Sequence, residues 1–320
     1  MELRQLRYFL AIAEHGSFSK AASTLYIAQS ALSHQVAQLE GELGQPLFMR
    51  LPRGVELTAA GQAFHPHALS IMRQVADARL SVSQAENETV GKVVFGIPHS
   101  VSQALALPLL KAIRTTLPRV ELELTEELTG NLIPQLRTGV VQLAILLDDG
   151  QLDEFHCQPL LEESLMLISP ANAPDAPHGP ISLRDALRMP LILPASPHGV
   201  RPIVEAAAKQ AGLAAPHVVA DISSISILRT SLLAGLGHTL LPPMPMLHEL
   251  ERGELRAVHI SPETLSRRVM LCSSRYIPAS TAAVAVARLL HDLVAQLCND
   301  GTWKEGRLIR LQGISGASAS

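Results

Sequence analysis

Apolar positions recur every three to four residues from the start of the chain. Leu3, Leu6, Phe9 and Leu10, then Ile12 and Ala13, have the spacing of a helix with one buried face. Gly16 is placed to end it, and Ser17 or Ser19 to cap a second helix through Leu25 with Ala21, Ala22 and Leu25 inward. After a break at Tyr26-Ile27, a third helix is expected from about Ala28 to Leu43, burying Leu32, Val36, Leu39 and Leu43, with Gly44 as its stop. Two short apolar strands around Pro52-Arg53-Gly54 predict a β-hairpin. From Leu57 the apolar set Gly61, Phe64, Ala68, Ile71, Val75, Ala78 and Val82 follows a heptad seam, which predicts a long helix packing along another; Pro66 lies inside it. A helix packed on its own domain produces the same seam, so dimerisation through Phe64, Ala68, Ile71, Val75, Ala78 and Val82 is one of two readings.

Past the polar stretch 84–89 the texture becomes alternating strand and helix. Strands are expected at Lys92–Ile97, Val120–Thr125, Leu143–Leu147, Leu165–Ser169, Leu191–Pro194, Val218–Ile222, Thr239–Leu241 and Val269–Ser273. Helices are expected at Ala104–Thr116, Leu132–Thr138, Ile203–Gln210 and Ile225–Leu233. Such alternation predicts a parallel or mixed sheet with helices on both faces, and about 210 residues suit two small α/β lobes better than one. The Gly-, Ser- and Arg-containing end, 301–320, is expected to be mobile.

Composition changes this picture in one respect. Hydrophobic residues are 47% and charged residues 17% of the chain, enough for packed cores. The net charge is −3, and the first 65 residues carry Arg4, Arg7, Lys20, Arg50 and Arg53 against Glu2, Glu14, Glu40, Glu42 and Glu56, a balance of zero. Affinity for nucleic acid must therefore come from where charges sit rather than from bulk positive charge. Cys157, Cys272 and Cys298 lack metal-ligand spacing and cannot all pair, which fits a reducing cytoplasm, and no metal or cofactor is expected. With neither a leader-like apolar region nor a run of eighteen apolar residues in the chain, the expectation is a cytoplasmic protein without membrane contact.

The candidate chemistry lies first in Ser17–Glu40, two short helices meeting across a tight turn. The second offers Gln29, Ser30, Ser33, His34 and Gln35 outward, hydrogen-bonding side chains with no Lys or Glu among them. Gln can pair with adenine and Ser with any base in a major groove, whereas an ordinary solvated face normally carries charges. Lys20, Arg50 and Arg53 add positive charge nearby, the last two on the hairpin where a wing would meet the DNA backbone or minor groove. Arg50 packing its stem on the third helix is the structural alternative.

Gly16-Ser17-Phe18, Ala21-Ala22, Leu25, Gln29, Ala31-Leu32-Ser33, Gln35, Leu39-Glu40, Leu43-Gly44, Leu47-Phe48, Arg50 and Leu57-Thr58 to Gly61 together resemble the DNA-binding domain of LysR-type transcriptional regulators. Leu39–Leu43 and Arg53-Gly54-Val55 look closest to the branch containing the nitrogen assimilation control regulator. Ser30 departs from the family's usual Pro at the start of the recognition helix. The resemblance implies α/β architecture overall: a winged helix-turn-helix over 1–58, a linker and dimerisation helix over 59–89, and an effector domain like periplasmic binding proteins over 90–298. Its first lobe would span about 91–160 and 267–297 and its second about 161–266, leaving 299–320 as a tail. It further implies a homodimer, paired into a homotetramer, that binds promoter DNA, answers to a small-molecule effector and contacts RNA polymerase.

In two-lobed α/β domains, ligands sit at strand carboxyl ends beside helix N-termini. Three junctions qualify: Ser100 and Ser102; Thr129 and Asn131; and Ser196, His198 and Arg201, with Ser224 as a fourth candidate. Arg201 before Pro202 suggests a carboxylate clamp, hence a small metabolite, with an anionic one favoured. Each of these residues is equally explained as a cap, turn or structural ion pair. A regulator acting without effector is an alternative reading, as are a solute-binding protein or an enzyme, although no nucleophile elbow, zinc-binding helix or phosphate loop is present.

Overall fold

The computed structural model describes residues 1–309 except 53, 84–88, 149, 151, 196–198 and 263–264. The chain divides into two compact units, one formed mainly by 1–91 and the other by most of the remainder.

In the first unit, α1 (Leu3–His15) opens with a reciprocal capping box between Glu2 and Gln5 and ends at Gly16 in the left-handed conformation. The side chain of Ser17 caps α2 (Phe18–Thr24), and α3 (Gln29–Leu43) follows a turn in which Tyr26 holds φ 55°. Tyr8, Ile12, Ala21, Ala22, Leu32 and Val36 pack as one core between these helices. The wing is β1 (Phe48–Leu51) paired antiparallel with β2 (Gly54–Leu57). Glu40 anchors its base, one carboxylate oxygen accepting from the amides of Leu47 at 2.7 Å and Phe48 at 3.2 Å. The far end of the wing is tied to the helices too. The Val55 amide donates to the Gly16 carbonyl at 3.0 Å, and a Cβ on Gly54 would lie 2.5 Å from that same oxygen. Glycine is required at 54 by this approach and by its φ of 126°.

The long helix α4 (Ala59–Ser83) divides the heptad seam in two. Ala68 is fully buried, and Phe64 and Ile71 pack with it against Leu6, Phe9, Leu39 and Leu47. For these three the reading of a helix packed on its own domain holds, which leaves Val75, Ala78 and Val82 as the part of the seam outside that core. Val82 is 87% exposed, Ala78 is exposed and Val75 half-buried.

The second unit begins with β3 (Gly91–Pro98), α5 (His99–Thr116), β4 (Val120–Glu127), α6 (Thr129–Thr138), β5 (Leu143–Leu147) and β6 (Phe155–Ser164). Next come β7 (Met166–Pro170), α7 (Leu183–Arg188), β8 (Leu191–Leu193), α8 (Arg201–Gln210), β9 (Val218–Asp221), α9 (Ile225–Leu233) and β10 (Thr239–Leu241). A short 3-10 turn Met244–Met246, α10 (Leu247–Glu251), β11 (Leu255–His259), β12 (Ser266–Ser274), α11 (Thr281–Asn299) and β13 (Gly306–Leu308) complete it. A six-stranded sheet in the order β13-β6-β12-β5-β3-β4 forms one lobe. The strands β10-β7-β11, bridged to the pair β8-β9 at Leu191 and His238, form the other. The chain passes between lobes where β6 runs into β7 and where it returns into β12, and β6 and β12 lie side by side, antiparallel.

Several elements lie outside the predicted set. Pro159, Glu162 and Glu163 interrupt the apolar pattern of β6, and Arg256 that of β11. The helix α11 sends Ala282, Ala283, Val286, Leu290 and Val294 into the first lobe's core, so its apolar length is that of a core helix. The helices α5 and α6 begin earlier than their apolar periodicity, at His99 and Thr129. Met244, from a second-lobe segment, is buried in the first lobe's core, where Leu247 also packs. Residues 299–309 differ most from expectation. Trp303 is 2% exposed in the first-lobe core and β13 pairs with the last residues of β6, so this stretch is built into the sheet. Cys157 stands opposite Cys272 on β6 and β12 and is joined to it as a disulfide, leaving Cys298 as the thiol.

Candidate nucleic-acid interface and inter-lobe cavity

The first site is the outer face of α3. Inward Leu32, Val36 and Leu39 fix the helix on its domain, so Gln29, Ser30 and His34 point out exposed and Ser33 and Gln35 are half-buried beside them. Gln35 is held within the face, donating to Gln38 at 3.1 Å and accepting from Arg4 at 3.4 Å. Ala28 precedes α3 without a side-chain cap, so the first N–H groups of the helix are left for an outside acceptor such as a phosphate. Lys20 is exposed on α2 and Arg50 on β1; Arg53 lies outside the described residues. Tyr26 is the residue that the polar pattern missed. It is 95% exposed in the turn just ahead of α3, and its positive φ is the signal of a tight helix-turn-helix angle.

The second site is a small cavity between the lobes with a volume of about 40 Å³. Its walls are mainly apolar: Pro98, Leu147, Val200, Ile222, Leu228 and Leu241 among them. The polar lining comes from Ser100 and Thr129 at the starts of α5 and α6, with His99, Glu127, Ser223 and Arg267. Such a volume holds a few atoms, and a larger guest needs the lobes to part.

Most polar groups here are already committed inside the protein. Ser100 accepts from Arg267 Nη1 at 2.8 Å. Arg267 and Glu163, opposite one another on β12 and β6, both have fully buried side chains and meet through Nε and Nη2 at 2.7 Å. The other Glu163 oxygen accepts from the Trp303 indole at 2.7 Å. Arg267 thus brings a guanidinium to the wall whose charge Glu163 already balances. Sequence reasoning missed it, because an arginine among apolar residues of a strand becomes informative only when its cross-strand partner is known.

The remaining expected residues take other positions. Ser102 donates to Glu126 and to the His99 carbonyl, and Asn131 donates to Glu127 at 3.0 Å. Ser224 caps α9, and Ser196 and His198 lie outside the described residues. Arg201 is absent from the lining; it is held by Glu205, four residues on, and by Asp221 at 3.0 Å. The carboxylate clamp assigned to it is corrected: α8 and β9 each present a carboxylate to Arg201, which satisfies the guanidinium within the second lobe.

One constellation resembles hydrolytic machinery. His238 bonds through Nδ1 to Ser169 at 2.7 Å and through Nε2 to Asp175 at 3.1 Å. Ser169 is 1% and His238 2% exposed. A nucleophile needs room for substrate beside it, and this hydroxyl is sealed between strands.

Residues 3–62 match the model for "Bacterial regulatory helix-turn-helix protein, lysR family", and residues 86–295 match the LysR substrate binding domain. The nitrogen assimilation regulatory protein nac of Klebsiella aerogenes is 34% identical over 297 residues, covering 92% of this chain and 96% of that protein. The regulator BbuR of Bordetella bronchiseptica is 30% identical over 302 residues, covering 93% and 91%. Among solved structures, full-length OxyR from Pseudomonas aeruginosa superposes with TM-score 0.73 at 23% identity, over 97% of this chain and 99% of that one. CbnR complexed with its target DNA superposes with TM-score 0.65 at 21% identity, over 92% and 99%. These two likenesses are of fold.

Proposed function

We infer that this chain, which belongs to the LysR family of bacterial transcriptional regulators, reads promoter DNA through α3 and adjusts that reading to a small molecule held between its lobes. The observation that carries the first half is the recognition face. Gln29, Ser30 and His34 are exposed on α3 with Ser33 and Gln35 half-buried beside them, and exposed Lys20 and Arg50 supply positive charge that suits phosphates. Arg53, which the sequence pattern groups with them, lies outside the described residues. A homodimer would place two such helices in successive major grooves, joined through the outer half of α4 at Val75, Ala78 and Val82 and paired further into a homotetramer.

The effector reading rests on the cavity. Ser100 and Thr129 offer hydroxyls in a lining that is otherwise mainly apolar, which suits a small molecule with one polar end. Glu127 in the wall and the balanced charge of Arg267 favour an uncharged polar end over a free carboxylate. Closure of the lobes around such a guest would shift subunit arrangement, DNA bending and contact with RNA polymerase. The work is that of a cytoplasmic regulator rather than an enzyme, the buried Ser169 acting as a structural hydrogen-bond partner.

Two measurements test this. A gel shift on the DNA upstream of the protein's own gene is expected to show specific retardation that Ser33→Ala with Gln35→Ala removes; retention of native affinity would overturn the role of α3. A thermal-shift screen of short carboxylates against their amides, from acetate and acetamide upward, is expected to favour the amides. Stabilisation by neither series, with DNA binding intact, would point to a regulator that works without effector.

A further inference from the structure

The stretch 300–309 lies beyond the last core helix, yet it closes over the place where the chain crosses between lobes. Strand β13 pairs Gly306, Arg307 and Leu308 with Glu163, Glu162 and Leu161, among the last residues of β6 before the crossing. The Glu305 carbonyl accepts from the Ser164 amide at 3.2 Å, and the Glu305 carboxylate stands 3.6 Å from His259 of β11. The Lys304 amide lies 3.2 Å from the sulfur of Met244. Gly306 is needed for this arrangement, because a Cβ there would come within 2.8 Å of the Trp303 ring.

Trp303 is the chain's one tryptophan, and its N–H meets a buried carboxylate that is otherwise filled by Arg267. A buried carboxylate keeps a defined orientation only when each oxygen has a donor; without the indole, one Glu163 oxygen loses its partner and the pair can turn. Arg267 in turn holds Ser100, a cavity residue, by its Nη1. Four groups therefore form one unbroken line from the C-terminal strap to the cavity wall: Trp303, Glu163, Arg267, Ser100.

We propose that Trp303 is a positioning residue for the inter-lobe cavity, holding Glu163 and through it Arg267 so that the Ser100 hydroxyl faces a guest in a fixed orientation. The strap 300–309 then forms part of the sensing apparatus. What a guest does to Ser100 reaches β13, and what loosens the strap reaches the cavity. This rests on the cavity's being the effector site only for its biological meaning; the coupling itself is a property of the unliganded protein.

The test uses the full chain labelled with 5-fluorotryptophan, which places a single fluorine reporter at residue 303. Ser100→Ala is expected to move that resonance, while Ser280→Ala, which removes the cap of α11 without touching the line, leaves it in place. An unmoved resonance in Ser100→Ala, or equal shifts in both variants, overturns the proposal. In the reverse direction, Trp303→Phe keeps a ring and removes the N–H. Amide exchange across 97–102 is expected to rise about tenfold relative to 18–43, and unchanged exchange at 97–102 overturns the proposal as well. Calorimetry with propionamide and propionate then addresses the cavity separately: no heat from either counts against the effector reading, while the fluorine signal and the exchange alone decide the role of Trp303.

Discussion

The two candidate sites use polar side chains in opposite ways. On α3 the polar residues sit outside a helix whose stability comes from Leu32, Val36 and Leu39, so Gln29, Ser30 and His34 are available to a partner that has yet to arrive. Around the cavity the polar residues are part of what holds the first lobe's sheet together: Arg267, Glu163 and Trp303 satisfy one another with no exposure of the ion pair. A surface site separates function from folding, whereas a site built from buried pairs merges them. Substitutions should therefore injure binding alone in the first site, and folding together with binding in the second.

The sharpest way to break that contrast is Arg267→Ala. Leaving Glu163 buried and uncompensated is expected to cost about 3–5 kcal/mol in urea unfolding of the regulatory domain. Glu163→Met with Arg267→Met should recover part of this, the remainder being the indole N–H left without an acceptor, about 1–3 kcal/mol. A single mutant as stable as the parent would place the cavity in the same class as α3. For the recognition face, Ser33→Ala with Gln35→Ala should lose about 1–3 kcal/mol of discrimination per base contact, while unfolding midpoints imply a change within about 0.5 kcal/mol. Arg50→Ala is a milder probe of the same surface. Binding should weaken on all sequences alike, with the salt slope of the binding constant reduced by about 1. The smallest effect belongs to Cys298, whose thiol is pushed up to about 11, first by burial and then by the nearby charges of Glu163 and Asp300. Since the thiolate is the reactive form, about 0.1% is present at pH 8 and alkylation should be slow, rising about tenfold per pH unit until the pKa is reached. Fast alkylation at pH 8, followed by mass spectrometry, would show that this corner of the core opens.

The same contrast explains what could be read from the chain. The helix-turn-helix is a local affair: Leu32, Val36 and Leu39 declare a buried face within a few turns, and the uncharged run Gln29–Gln35 declares the opposite one. Strands β3, β5, β10 and β12 were legible for the same reason, each being a short apolar run. The seam of α4 was legible as a helix but not in its allegiance, because Phe64, Ala68 and Ile71 show the same periodicity whether the partner is Phe9 or a second copy. The cavity was half legible. Ser100 and Thr129 could be found from strand-to-helix junctions, but Arg201 looked like a clamp until Glu205 and Asp221 were brought to it. Arg267 depends on a pairing across 104 residues, and Trp303 on one across 140, distances over which a sequence pattern carries no register.

The contact of Gly54 with Gly16 bears on how such a molecule could be regulated. The wing is bonded at its tip to the end of α1 and at its base to Glu40, so hairpin and recognition helix move as one solid piece. A reading head of that kind would behave like a caliper locked at one setting: the span between the outer face of α3 and the hairpin is a constant of the domain. A distant signal would have nothing to adjust within it. The adjustable quantity is the separation and angle between two heads, so a signal would be expressed in the spacing of half-sites that a pair can grip at once.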